Sequence, residues 1–341
     1  MATIQDVARH AGVSTATVSR VLSAPERVAE PTRARVLASV DALGYAPNVA
    51  AKSLRTLKTG KILVTVPDIS NPFFSQVIRG VEEAATAAGY AVLLGDTRHE
   101  EEREDQYALL LRRREADGLI FLGHRLPPAL AELVAAQGAK APIVNGCEFS
   151  PELGVPSAHI DNARAATEAM EHLYALGHRR VGVITGPLAS PLSRDRLSGV
   201  QAAAARRSAW GLNVVQGDFS IESGLEQTLA LLDAEPRPTA IFCFSDEMAM
   251  GALEALRRRG LACPADVSLV GFDDIRYARH LDPPLTTVSQ PKAAIGHEVV
   301  RLLLDVLADR VDTVRHVTLA HKLVVRASTA APAGATSAAG S

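Results

Sequence analysis

The chain of 341 residues is 47% hydrophobic and 22% charged. That balance fits packed cores, excludes a wholly disordered protein and suggests one small domain beside one large one. No stretch approaches the roughly 18 continuous apolar residues of a membrane span, and Asp6, Arg9 and Arg20 speak against a secretory leader, so the protein is expected in the cytoplasm with no membrane partner. Cys147, Cys243 and Cys263 are too widely spaced for a disulfide or zinc pattern, and neither a metal nor a cofactor is expected. The net charge of −2 conceals an asymmetry: residues 1–60 carry eight Lys/Arg against four Asp/Glu, a net +4, whereas the remainder is net −6. A basic head on an acidic body points to a polyanion as partner of the head alone.

Ile4, Val7, Ala8 and Ala11 form the apolar stripe of a short helix, with Thr3 and Asp6 as its capping box and Gly12 as its stop. After a three-residue break Ser14 is placed to cap a second helix through Thr17, Val18, Val21 and Leu22, which is helix-turn-helix spacing. A third helix has Pro31 in its first turn, Val36, Leu37, Val40 and Leu43 inward, and Gly44 at its end. The second helix displays Thr15, Ala16, Thr17, Ser19 and Arg20 outward. Small groups at its start suit close approach to a major groove, where a guanidinium reaches guanine O6 and N7.

The runs 4–8, 11–22 and 44–48 resemble the headpiece of the LacI/GalR family of bacterial repressors. The resemblance implies that Thr15, Ala16 and Arg20 read bases, within a DNA-facing set that adds Thr3, Ser14, Thr17 and Ser19 and continues with Asn48, Ala51, Leu54 and Arg55. It also implies a hinge helix that forms on DNA, pairs with that of a second subunit and wedges Leu54 into a minor-groove step. One departure is Ala29, where the family often carries serine before the third helix; losing a cap oxygen costs about 1 kcal/mol.

From residue 61 short apolar runs at 61–66, 91–94, 118–122, 142–144, 181–185, 240–244 and 268–272 alternate with helical patterns, notably 73–88, 163–176, 245–259 and 291–307. Alternation of this kind predicts parallel sheets covered by helices on both faces. The pattern restarts near Arg180, so two doubly wound α/β lobes are expected. Residues 313–326 alternate as strand should. Ligands of such folds bind beyond the carboxyl ends of strands, where carboxylates, one arginine and several phenylalanines gather. Carboxylates suit hydroxyl donors and aromatic faces suit ring surfaces, so a polyol or nucleoside fits this lining.

The family resemblance extends over residues 3–328 and implies Phe73, Phe74, Arg196, Phe219 and Asp273 as effector contacts, assisted by Asp161, Asp246 and the strand-end His124. Several less general stretches, among them 66–69, 122–127 and 148–153, resemble a nucleoside-responsive branch of that family. The expected organisation is residues 1–47 as DNA-binding domain, 48–60 as hinge and linker, and 61–328 as effector-binding and dimerisation domain. The body's lobes would be 61–160 with 291–320, and 161–290 with 321–328, leaving 329–341 as a disordered tail. Without leucine heptads at its end, a homodimer on a palindromic operator is favoured. A sugar- or nucleoside-processing enzyme on the same body is the main rival, but the chain has no Gly-x-Ser-x-Gly elbow, no phosphate-binding glycine loop and no metal-spaced histidine pair.

Overall fold

The computed structural model describes residues 2–45, 58–207 and 211–333, in two compact units divided between Thr59 and Gly60. In the first unit α1 (Ile4–Ala11), α2 (Thr15–Ser23) and α3 (Glu30–Ala42) enclose Val7, Ala8, Ala11, Val18, Val21 and Val36. Thr3 and Asp6 form the expected capping box, Gly12 takes the left-handed conformation that ends α1, and Ser14 caps α2. Ser39 is buried in this small core but satisfied, donating to the Arg35 carbonyl and meeting His10 Nδ1 at 3.0 Å. Ala29 precedes α3 with no side-chain cap bond. Leu37, expected inward, is 43% exposed: at 100° per residue it lies off the face that Val36, Val40 and Leu43 share.

The second unit holds two six-stranded sheets. The first is built from β1 (Lys61–Val66), β2 (Ala91–Asp96), β3 (Gly118–Phe121), β4 (Ile143–Gly146), β5 (Ser157–Ile160) and β11 (His316–Leu319), in the order β11-β5-β4-β3-β1-β2, all parallel. Its strands alternate between two cores: Ile62, Val64 and Ile120 face one side with Val77 and Val299, while Leu63, Leu119 and Phe121 face the other with Leu130. The helices are α4 (Pro72–Ala87), α5 (Glu101–Arg112), α6 (Pro128–Gln137) and α11 (Lys292–Leu307). Backbones of α4 and α11 meet directly because a Cβ on Gly80 or Gly296 would collide with the opposing main chain.

The second sheet contains β6 (Arg180–Thr185), β7 (Gly211–Gln216), β8 (Ala240–Cys243), β9 (Ser268–Asp273), β10 (Thr286–Ser289) and β12 (Lys322–Val324), ordered β12-β10-β9-β8-β6-β7. Four of its pairings are parallel, and β12 runs antiparallel to β10. Around it lie α7 (Asn162–Ala175), α8 (Pro191–Ala205), α9 (Ile221–Asp233) and α10 (Asp246–Arg258). Phe242, Phe244, Phe272, Met170 and Leu173 fill the core. The chain passes between the lobes after Ile160, after Ser289 and between Leu319 and Lys322.

The alternating run 313–326 forms two short strands, one in each sheet, with Ala320 and His321 between them. The tail does not begin at residue 329: Ser328 is fully buried, its carbonyl accepts from Leu269 N–H, and its hydroxyl accepts from Thr286 N–H at 2.8 Å while donating to Leu269 O at 2.7 Å. Ala330 continues the attachment through Ser268 Oγ and His178 Nε2. An Ala- and Ser-rich sequence has no apolar pattern, yet its backbone completes the bonding of β9. Replacing Ser328 by alanine leaves the buried Thr286 N–H without its acceptor and is expected to lower stability by about 1–3 kcal/mol, measured by urea unfolding; an unchanged midpoint would show that the hydroxyl is dispensable.

Candidate functional site

A cleft of about 540 Å³ opens between the carboxyl ends of the two sheets. The first lobe contributes Asp68, Asn71, Phe73, Phe74, His99, His124, Cys147 and Glu148. The second contributes Ser190, Arg196, Asp218, Phe219, Ser245, Glu247 and Asp273, and Gln290 enters from the second crossover. Phe73 and Phe74 meet edge to face at the start of α4, 5.2 Å between centroids, where Asn71 caps the helix through Phe73 N–H. Phe219 follows β7 with φ 74° and rests over Gly186, whose hydrogen leaves the space that any Cβ would fill.

Arg196 projects from α8 into the interior with its side chain 4% exposed. Nε donates to Asn162 Oδ1 at 2.9 Å and Nη1 to the Phe244 carbonyl at 2.5 Å, and the guanidinium stacks 3.6 Å above the Phe272 ring. Nη2 lies 4.0 Å from Asp273 Oδ1. Burial lowers the guanidinium to about 10, so it stays charged at neutral pH.

Asp273 ends β9 with φ 110°, a conformation that L-residues adopt only under constraint. Two groups hold it there: Gln290 Nε2 donates to its Oδ1 at 2.7 Å, and Lys292 Nζ donates to the carbonyls of Asp273 and Asp274 at 2.5 and 2.9 Å. Glu148, after β4, reaches across the cleft to accept from Ser190 Oγ at 3.2 Å and Leu192 N–H at 3.2 Å. Burial is the main cause that pushes Asp273 up to about 6 and Glu148 to about 7. Glu247 also rises to about 7, by burial and then by the nearby charge of Asp68.

Of the residues singled out in the sequence, Phe73, Phe74, His124, Arg196, Phe219 and Asp273 come together around the cleft. Asp161 and Asp246 do not. Asp161 is an exposed cap of α7, accepting from Arg164 N–H at 2.9 Å. Asp246 is fully buried behind the lining, where it accepts from Thr287 Oγ1 at 2.6 Å and Ile275 N–H at 2.8 Å and so braces the turn that carries Asp273. Glu148, Asp218, Glu247 and Gln290 were not among the expected ligand contacts, although Asp218 is one of the strand-end carboxylates and Glu148 opens the stretch 148–153. Asp218 and Glu247 each lay within two residues of positions that were, but Glu148 and Gln290 follow strand ends whose position only the sheet defines.

On the first unit Thr15, Ala16 and Arg20 are exposed along α2, and Arg20 makes no ion pair with a described residue. Ser14 and Thr17 face each other at 2.9 Å, and Ser14 Oγ also caps Thr17 N–H. Thr3 is held by Asp6 at 2.7 Å, and Ser19 is half-buried. Asn48, Ala51, Leu54 and Arg55 lie outside the described residues.

A helix-turn-helix with a small-residue face, joined to a two-lobed body whose strand ends converge on a polar and aromatic cleft, defines the class of ligand-controlled DNA-binding regulators. Residues 3–48 match the model of bacterial regulatory proteins of the lacI family, and residues 170–329 match that of the periplasmic binding protein-like domain. The chain is 44% identical over 308 residues to the HTH-type transcriptional repressor CytR of Escherichia coli, covering 89% of each chain. It is 36% identical over 331 residues to the HTH-type transcriptional repressor PurR of Photobacterium profundum, covering 96% of this chain and 98% of the relative. The solved lac repressor dimer bound to operator and the anti-inducer ONPF is 30% identical, with a TM-score of 0.86 over 97% of this chain and 99% of that one. The complex of the transcriptional regulator CelR with cellobiose is 32% identical, with a TM-score of 0.73 over 96% of this chain and all of the other. The chain belongs to the LacI family: it is a DNA-binding transcriptional repressor under ligand control, not an enzyme. Among the described residues no helix is long and apolar enough to cross a membrane.

The raised carboxyls carry a pH signature. Folded, they keep protons that the unfolded chain releases above about pH 4, so their contribution to stability is complete below that pH and is lost as pH rises through 6 and 7. Compared with wild type, ligand-free Glu148→Gln is therefore expected to lose less resistance to urea between about pH 5 and pH 8, while histidines that burial lowers, such as His159 and His178, add the opposite slope to both proteins. An identical pH dependence in variant and wild type would show that Glu148 ionises freely.

Proposed function

We propose that the cleft binds a nucleoside or sugar, and that this ligand sets the affinity of the headpiece for a palindromic operator held by a homodimer in the cytoplasm. The observation that carries the reading is the convergence of aromatic faces (Phe73, Phe74, Phe219) with hydrogen-bonding charges (Arg196, Asp273, Glu148) from both lobes on one cleft. Rings cover the apolar faces of a sugar or base, and ionised groups bind its hydroxyls and amides with charge-assisted hydrogen bonds. Stretches such as 122–127 and 148–153, which resemble a nucleoside-responsive branch of the family, favour a nucleoside. The cellobiose complex of CelR keeps a sugar as the second reading.

In this scheme residues 1–47 read DNA, 48–60 couple, and 61–328 sense and dimerise. Thr15, Ala16 and Arg20 reach base edges, while Thr3, Ser14, Thr17 and Ser19 set the position of α2 on the phosphates. Asn48, Ala51, Leu54 and Arg55 meet the minor groove at the operator centre. Because a ligand shifts an equilibrium only by its unequal affinity for two states, effector and operator must each alter the other's binding by the same factor.

Two variants test the halves separately. Arg20→Ala is expected to weaken operator binding by about 1–3 kcal/mol per half-site, with affinity for random DNA and for effector nearly unchanged, in fluorescence-anisotropy titrations at fixed salt. Equal discrimination by variant and wild type would remove Arg20 from base reading. Asp273→Asn keeps the shape but withdraws the charge, so calorimetry should show effector affinity reduced at least tenfold while ligand-free operator binding persists. Unchanged effector affinity would place the ligand elsewhere.

A further inference from the structure

Resting on the nucleoside or sugar reading above, we propose that this cleft selects the uncharged compound and rejects the same compound carrying a phosphate. Its lining holds five carboxylates, Asp68, Glu148, Asp218, Glu247 and Asp273, against the single guanidinium of Arg196. That guanidinium is committed: two of its nitrogens donate to Asn162 and the Phe244 carbonyl, and the third faces Asp273. It offers a ligand one directed donor, not a spare charge.

Helix N-termini are the other sites where a phosphate binds, through unpaired N–H groups and the helix dipole. Four of them open on this cleft, and at each a side chain of the protein already takes one of the free N–H groups. Asn71 Oδ1 accepts from Phe73 N–H at 2.8 Å on α4, Ser220 Oγ from Ser223 N–H at 3.0 Å on α9, and Ser245 Oγ from Met248 N–H at 3.1 Å on α10. On α8 the acceptor is the Glu148 carboxylate itself, at Leu192 N–H. A protein anion thus occupies the place an exogenous phosphate would take. The first turn of α10 also carries Asp246 and Glu247.

Nearby cations outside the lining are engaged as well. Arg194 donates to the carbonyls of Leu188 and Ala189, Arg125 pairs with Glu104 and Glu101, and Lys292 donates to the carbonyls of Asp273 and Asp274. His124 is kept neutral by burial and by His99, Arg194 and Arg125. A sensor of this kind registers a compound before it is phosphorylated, so a phosphotransfer reaction that consumes the compound also removes the signal.

The test is calorimetry on the full chain at pH 7.5 and fixed ionic strength. The probes are cytidine, uridine, adenosine, guanosine and ribose, each beside its 5′-phosphate. At least one uncharged member is expected to bind, with its phosphate weaker by on the order of 100-fold. Glu148→Gln and the double variant Asp68→Asn, Glu247→Gln should each narrow that ratio, and circular dichroism and gel filtration would confirm that the variants are folded. A phosphate ester that binds as tightly as its parent, or a ratio that folded variants leave unchanged, overturns charge selection while the nucleoside or sugar reading stands. If neither any uncharged probe nor any phosphate binds, the nucleoside or sugar reading itself fails.

Discussion

A charged group held out of water organises the cleft. Removing a guanidinium from solvent costs several kcal/mol unless its donors are satisfied, and Arg196 is satisfied only by bringing together parts that are far apart in the chain. Asn162 stands at the first crossover, Phe244 at the end of β8, and Phe272 and Asp273 at the end of β9. Moving any of these strand ends would leave the cation short of a partner. The same requirement holds Asp273 at a positive φ, assisted by Gln290 and Lys292 from the second crossover. The bonds that satisfy Arg196 thus also fix the strand ends that border the cleft on the side of the second lobe.

Near the cleft two contacts link the lobes. Glu148 extends from the first lobe to the start of α8 in the second. In the opposite direction Ile275, one turn beyond Asp273, is 2% exposed within the core of the first lobe, beside Phe73 and Val77. Asp246 fixes the Ile275 amide, so the segment 273–275 presents a charge to the cleft at one end and an apolar plug to the opposite lobe at the other. A ligand that engages Asp273 therefore acts on a segment whose position both lobes share, the kind of differential contact that a shift between lobe arrangements requires.

The headpiece follows a different economy. Its core is six small aliphatic residues, so local devices carry much of its order: the reciprocal Thr3–Asp6 box, the left-handed Gly12 and the Ser14 cap. Ser14 and Thr17 hold α2 in shape, which leaves the exposed Thr15, Ala16 and Arg20 free of structural duty on its outer face.

What the sequence determined by itself was everything governed by short range: caps, helical periodicity in the first forty-five residues, and strand–helix alternation in the body. These signals rest on neighbours within a turn or a pleat, so they survive without knowledge of the fold. The tertiary structure decided what depends on distant partners. Ser157–Ile160 is polar in composition but buried, because Ser157 and His159 bond to each other and to His316 and Thr318 of the adjoining strand. Asp161 and Asp273 both stand at strand ends, yet one caps a helix in solvent and the other faces a buried arginine. Glu148 entered the cleft, and residues 329 and 330 left the expected tail, for the same reason: desolvation and long-range hydrogen bonding assign a polar group its role, and neither is encoded in the spacing of its neighbours.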